Sequence, residues 1–86
     1  MDKLQLTIVT PCEEIYNGEA EAVLVRTTEG DVSILPRHID YAAALGNGSG
    51  RIRTNGEVKT MRIEGGLLSV RENQVCILAN RFEWTN

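Results

Sequence analysis

The sequence has few of the residues that bind metals or form disulfides, and it has no long apolar segment. It contains one histidine and two cysteines, Cys12 and Cys76, which are too few for a metal centre or a disulfide framework. It has no run of about 18 apolar residues, so no segment could cross a bilayer as a helix. The residues after Met1 lack the apolar core of a signal peptide, and we therefore expect a protein of the cytosolic side whose cysteines are reduced thiols.

Positive charge is also scarce. Nine lysine and arginine residues are outnumbered by twelve acidic residues, which gives a formal net charge of −3. Binding to nucleic acid or to anionic lipid depends on a basic surface, so this charge argues against a nucleic-acid partner and against direct membrane insertion or anchoring. A chain of 86 residues has the length of one domain, and we predict a single domain over residues 1–86.

The sequence is instead rich in strand signals. Apolar residues such as Leu4, Leu6 and Ile8 alternate with polar residues, and turn signals separate segments of this kind along the chain. No segment shows the periodicity of a helix. The pattern predicts an all-β fold: a small β-sandwich or flattened barrel of about 8–10 short, mostly antiparallel strands.

Glycine and apolar residues give several local predictions. Asn55-Gly56 predicts a type I′ hairpin, because both residues tolerate positive φ. Gly65-Gly66 before an apolar strand predicts a sharp bend where a side chain would clash. Asn17-Gly18 predicts another turn, the glycine-rich stretch 46–50 predicts a loop, and the wholly apolar stretch 75–79 predicts a strand covered on both faces.

The most distinctive stretch begins with a tight acidic turn formed by Glu29, Gly30 and Asp31. Gly30 can adopt positive φ without a Cβ clash, and both carboxylates would lie at the solvated tip. A short apolar strand over 32–35 follows and ends at a proline. The small apolar residues of 41–45 predict a strand or an irregular loop, with a flat surface on which the backbone of another protein could lie close.

No catalytic arrangement emerges from these residues. His38 is the only histidine, and no serine lies in the setting of a nucleophile elbow that it could serve. Glu29 and Asp31 on an open tip would stay solvated, without the apolar surroundings that separate the pKa values of a catalytic pair. We therefore predict no catalytic residue, no cofactor and no small-molecule substrate. The tip is either an ordinary solvated loop or a docking surface for a basic partner.

The same stretch resembles the N-terminal domain of the epsilon subunit of rotary F-type ATP synthases. That family has a Glu-Gly-acidic turn, a short apolar strand, a proline and a histidine in this order. The corresponding residues here are Glu29–Asp31, 32–35, Pro36 and His38. The family also has a double glycine before an apolar strand, where this chain has Gly65 and Gly66. The resemblance extends over essentially the whole chain.

The resemblance implies a non-catalytic subunit of the central stalk, peripheral to the cytoplasmic face of the bacterial membrane. In the family this domain grips the gamma subunit and rests on the polar loops of the c-ring, so that proton or sodium flow is coupled to ATP synthesis. Carried over to this chain, Glu29, Gly30 and Asp31 would face the c-ring loops, which are usually basic. The gamma subunit would contact four residues near the proline corner, namely His38, Tyr41, Ala42 and Ala43.

The chain departs from the family pattern in several respects. The family commonly has glycine where Arg37 stands, proline where Asp40 stands, and larger aliphatic residues where Ala42 and Ala43 stand. Most members also continue into two helices that can bind ATP or brake the motor, whereas this sequence ends at Asn86. We therefore expect no nucleotide site and no helix-mediated inhibition from these residues. The alternative to a rotor subunit is a stand-alone β-sandwich module that binds a small ligand or a peptide in an apolar pocket.

Overall fold

The computed structural model describes residues 3–85, and every regular element within them is a β-strand. The strands are β1 (Leu4–Val9), β2 (Glu14–Ala20), β3 (Ala22–Thr27), β4 (Gly30–Ile34), β5 (Tyr41–Thr54), β6 (Glu57–Arg71) and β7 (Gln74–Trp84). The all-β prediction is confirmed. The predicted domain limits, 1–86, include residues 1, 2 and 86, which lie outside the described part of the chain. Between residues 3 and 85, no helix has the length and apolarity to cross a membrane.

The strands form one sheet in the order β2-β1-β7-β6-β5-β3-β4. Neighbouring strands are antiparallel except β1 and β7, which run parallel. The start of β7 pairs with β1, whereas the end of β5 pairs with β3, so the long strands contribute to two layers. The first layer contains β1, β2 and the adjoining parts of β5, β6 and β7. The second layer contains β3, β4 and the remaining parts of those three strands, and the two layers form the predicted sandwich.

The three long strands bend from one layer into the other along a single line, here called the fold line. Their buried positions change parity at residues 45–46 in β5, 65–66 in β6 and 79–82 in β7. In β6 this line coincides with Gly65 and Gly66, whose φ angles are 71° and 133°. A Cβ on Gly66 would lie 1.9 Å from the carbonyl oxygen of Leu78, so only glycine fits. The predicted bend is confirmed, and because strands continue through it, residues 3–85 contain seven strands rather than eight to ten.

The core between the layers receives side chains from every described strand. Its largest fully buried side chains are those of Leu4, Leu6, Ile8, Ile34, Ile52, Met61, Leu68 and Ile77. Alternation is clear in β7, where Ile77 is buried and Leu78 is 46% exposed. The prediction that 75–79 is covered on both faces is therefore wrong, because alternate residues of a strand point to opposite faces and only one face meets the core.

The glycine-rich stretch 46–50 is part of β5 and is not a loop. A Cβ on Gly50 would lie 2.6 Å from the carbonyl oxygen of Leu24, and a Cβ on Gly48 would lie 3.0 Å from Cδ of Arg26. These glycines therefore allow β3 to approach β5 more closely than side chains would permit. The loop prediction was wrong because glycine here serves tertiary packing and not a turn.

Of the two turns predicted at asparagine–glycine pairs, the structure contains one. Asn55 and Gly56 have φ angles of 53° and 76° and connect β5 to β6, so the predicted type I′ hairpin is confirmed. Asn17 and Gly18 lie inside β2, where they pair with β1, so the predicted turn at that position is wrong. The connection between β1 and β2 lies earlier, where the Thr10 amide donates a hydrogen bond to the Glu13 carbonyl oxygen at 2.9 Å.

Candidate functional site

The acidic turn forms the tip of the β3–β4 hairpin. Thr27 Oγ1 accepts a hydrogen bond from the Glu29 amide at 3.1 Å and donates one to the Gly30 carbonyl oxygen at 2.7 Å. Thr27 is buried, whereas Thr28, Glu29 and Gly30 are exposed. Gly30 has a φ of 120°, which favours glycine. The hydroxyl group of the buried Thr27 thus stabilises the turn, and the carboxylates of the tip are exposed to solvent.

The two carboxylates of the tip have different surroundings. Arg26 Nε donates a hydrogen bond to Asp31 Oδ1 at 2.9 Å. This bond and the charge of Arg26, with a contribution from Arg51, lower the pKa of the Asp31 carboxyl below its ordinary value. Within residues 3–85 the carboxylate of Glu29 has no ion pair and no side-chain hydrogen bond. Glu29 is therefore the carboxylate of the tip that is available to an external cation.

The tip is attached to the strand that carries the small residues. The backbone amide of Thr28 donates a hydrogen bond to the carbonyl oxygen of Ala44 at 3.0 Å. One step below, Thr27 is paired with Leu45 in the ladder between β3 and β5. The two sequence features that were predicted to contact separate partners therefore lie side by side.

The segment 41–45 is the first part of β5, which agrees with the strand alternative of the prediction. Its side chains alternate: Ala42 and Ala44 are exposed, whereas Tyr41 and Ala43 are half-buried. Tyr41 packs against the core. Tyr41, Ala42 and Ala43 consequently do not share one surface, and Ala42 alone of the three is exposed to solvent.

His38 lies in the connection between β4 and β5 and contacts Tyr41. The ring centroids of His38 and Tyr41 are 5.8 Å apart, at an interplanar angle of 66°. His38 Nδ1 lies 2.7 Å from the carbonyl oxygen of Ile39, and the His38 amide donates to the carbonyl oxygen of Leu35 at 3.1 Å. These contacts fix the half-buried imidazole beside the start of β5.

The same connection is anchored to the β6–β7 turn. The backbone amide of Arg37 donates a hydrogen bond to Asn73 Oδ1 at 2.6 Å. Arg37 has a φ of 69°, in the left-handed region that favours glycine, and this explains why glycine suits the position. Asn73 also accepts a hydrogen bond at its carbonyl oxygen from the Gln5 amide at 2.8 Å. Asn73 thereby connects β1, the β6–β7 turn and the loop that carries His38.

Arg26 and Thr27 are the site residues that sequence reasoning missed. Pairing Thr27 with Gly30 across a two-residue turn places Arg26 opposite Asp31, so the hairpin register was the signal that could have found both. The thiols of Cys12 and Cys76 are free. In the described range 3–85, no group of three or more histidine, cysteine or acidic side chains is placed to hold a metal ion.

Comparison with known proteins gives a consistent result. The family profile described as "ATP synthase, Delta/Epsilon chain, beta-sandwich domain" matches residues 3–85. A protein of Halalkalibacterium halodurans named "ATP synthase epsilon chain" is 40% identical over 83 residues, which are 96% of this chain and 62% of that protein. A Frankia casuarinae protein of the same name is 35% identical over 83 residues, covering 95% of this chain and 98% of that protein.

Solved structures match in fold. A chain in the cryo-EM structure of the Euglena gracilis mitochondrial ATP synthase, described as OSCP/F1/c-ring, superposes with a TM-score of 0.90 at 24% identity. The match covers 95% of this chain and 53% of that one. At this identity the likeness shows the fold alone. Against the first curated relatives, the chain spans about three fifths of their length, as the 62% coverage above illustrates.

Proposed function

The chain belongs to the ATP synthase delta/epsilon β-sandwich family, and from this premise we propose that it is a non-catalytic subunit of the central stalk of a rotary ATP synthase. In this role it links the gamma subunit to the c-ring, so that proton or sodium flow is coupled to ATP synthesis. It acts as a peripheral component at the cytoplasmic face of the bacterial membrane. The observation that carries the proposal is the family match, which extends over residues 3–85.

The assemblies that contain the structural neighbours support this assignment. One neighbour belongs to an assembly described as OSCP/F1/c-ring, and another, from Tetrahymena thermophila, to one described as central stalk/c-ring. The Tetrahymena chain has a TM-score of 0.82 at 24% identity. A domain of this fold is therefore found in assemblies of the kind that the proposal requires.

In the proposed complex the tip formed by Glu29, Gly30 and Asp31 contacts the polar loops of the c-ring. Glu29 makes the principal contact, because its carboxylate is exposed and unpaired within residues 3–85. Asp31 contributes less, since its carboxylate already accepts the hydrogen bond from Arg26. A charge-assisted bond between Glu29 and a basic loop would provide both attraction and register.

The proposed gamma contact involves His38, Tyr41, Ala42 and Ala43, of which Ala42 is the exposed residue, since the four do not form one continuous surface. Ala42 is its outward element, and the small side chain permits close approach of a partner backbone. His38 and Tyr41 border it as a packed pair of rings. Ala43 supports the surface from the inner side of the strand. The hydrogen bond from the Thr28 amide to the Ala44 carbonyl oxygen joins the strand that carries Ala42 to the tip, so the two proposed contacts are adjacent in the fold.

Charge reversal at the tip tests the proposal. In the assembled enzyme we expect Glu29→Lys to reduce ATP-driven ion pumping per ATP hydrolysed, because the lysine would face a basic loop. The double variant Glu29→Lys, Asp31→Lys should uncouple pumping from hydrolysis further. Glu57→Lys, which makes the same charge change at the distant β5–β6 hairpin, should leave coupling intact. Normal coupling in the double variant would contradict the c-ring contact.

A further inference from the structure

A groove of about 470 Å³ crosses the outer face of the second layer. It lies on the side of β3, β4, β5 and β6 that faces away from the core, and its volume is within the range of about 300–1,000 Å³ typical of small-molecule sites. The side chains that define its chemistry are those of Leu24, Ser33, Leu35, Arg51, Arg53 and Val58. Leu35 and Val58 are 55% and 50% exposed. The groove therefore combines exposed apolar surface with two cationic groups.

The two arginines of the groove differ from the others on this face. Arg26 is bonded to Asp31 at 2.9 Å, and Arg62 Nε lies 3.7 Å from Glu64 Oε2. Among the described residues, no carboxylate lies within ion-pair distance of Arg51 or Arg53. The charge of Arg51 is felt by Asp31, but that carboxylate is committed to Arg26. Neither guanidinium group therefore has an ion-pair partner among the described residues, in a chain whose net charge is −3.

The strand register determines which residues lie directly opposite these two arginines. In the ladders of the second layer, Arg53 lies between Ala22 and Val58. Arg51 lies between Leu24 and Thr60. Both arginines project to the outer side because alternate residues of a strand share a face. The residues directly opposite Arg51 and Arg53 in both neighbouring strands are therefore apolar or uncharged.

We propose that this groove binds an organic anion that has an apolar body, its carboxylate or phosphate held by Arg51 and Arg53. The planar guanidinium fork matches the geometry of both anionic groups. The apolar body would lie on Leu24, Leu35 and Val58, removing their exposed surface from water. This inference does not depend on the proposed role in ATP synthase, since the groove lies on β3–β6 and excludes Glu29 and Ala42.

Decanoate is a suitable probe, and its binding to the full chain can be followed by amide NMR shifts below the micellar concentration. We expect saturable shifts confined to β3, β4 and the ends of β5 and β6 that meet at their hairpin. Decanol, which has the same chain and no charge, should bind much more weakly. Added salt should weaken decanoate binding, because the attraction is between exposed charges.

Substitution of the arginines identifies their contribution. The double variant Arg51→Gln, Arg53→Gln should bind decanoate at least about tenfold more weakly than the unaltered chain, since two charge-assisted contacts are lost. Arg71→Gln is the matched control, because Arg71 is an exposed arginine in the first layer. This control should bind decanoate as the unaltered chain does.

Three results would overturn the proposal. They are the absence of saturable shifts with decanoate, equal binding of decanol, and shifts centred on another face of the sandwich. The comparison with decanol and the salt titration use the unaltered chain, so they decide the matter even if the double variant fails to fold. A defect in rotor coupling with Glu29→Lys that leaves decanoate binding intact would separate this site from the proposed c-ring contact.

Discussion

Arg26 and Asp31 face each other across the β3–β4 hairpin and are joined by a hydrogen bond of 2.9 Å between Nε and Oδ1. The bond lowers the pKa of Asp31 below the ordinary value of 3.8. Because the folded-state pKa is the lower one, the stabilisation by this pair is fully present above the ordinary value. It is lost as the pH falls through the lowered pKa.

The first prediction concerns this titration. We expect Arg26→Gln to raise the pKa of Asp31 towards its ordinary value, because the largest cause of the shift is removed. NMR titration of the Asp31 carboxyl carbon would measure the change. Arg71→Gln, on the first layer, should leave the titration of Asp31 where it is. An unchanged pKa in the Arg26 variant would mean that the pair does not persist in solution.

The second prediction concerns the fold line. We expect Gly66→Ala to lower the free energy of unfolding by about 3 kcal/mol or more, because the new Cβ would collide with the Leu78 carbonyl oxygen. Gly56→Ala is the control, since Gly56 has a φ of 76° but nothing within 4 Å of the added Cβ. It should cost only about 1 kcal/mol, the penalty of positive φ alone. Urea denaturation of both variants would measure the difference, and equal losses would contradict the collision.

The third prediction compares neighbouring residues of β7. Ile77 is fully buried, whereas Leu78 is 46% exposed on the opposite face. We expect Ile77→Ala to lower the free energy of unfolding by about 2–4 kcal/mol and Leu78→Ala to lower it by less than about 1 kcal/mol. Denaturant unfolding of the two variants would measure the difference. Similar decreases in the free energy of unfolding would mean that β7 is covered on both faces.

The fourth prediction concerns the β6–β7 turn. Glu72 and Asn73 have φ angles of 51° and 64°, the pair of positive values that a type I′ turn requires. Asparagine tolerates this conformation better than glutamate, so Glu72→Asn should stabilise the fold by about 0.5–1 kcal/mol. Thermal unfolding would detect the gain. Glu57→Asn is the control, because Glu57 lies in β6 and has no positive φ, and it should give no gain in stability. A similar gain in this control would mean that the lost charge, and not the backbone conformation, is the cause.

Sequence reasoning succeeded where a residue's own conformational preference decides the structure. Asn55 and Gly56 specify a hairpin because both tolerate positive φ. The exposed acidic tip followed from Gly30 in the same way. The bend at Gly65 and Gly66 was predicted because two adjacent glycines before an apolar strand mark a place where a side chain would clash. These features are local, so the order of residues along the chain is sufficient to find them.

The misses arose where a distant segment decides the structure. The stretch 46–50 has the composition of a loop, yet Gly48 and Gly50 are extended because β3 lies against them. The exposure of Leu78 depends on which face of its layer meets the core, which apolar composition does not reveal. Likewise, 41–45 was expected to present one flat surface, but strand alternation separates Ala42 from Tyr41 and Ala43.

The fold line has a mechanical consequence. Because β5, β6 and β7 pass through it without interruption, three covalent backbones join the two layers at the same level. Within residues 3–85, none of these three strands is interrupted by a loop at the fold line, so a load on one layer would be transmitted to the other along continuous strands. Such a domain would act as a stiff coupling between partners bound to its two layers.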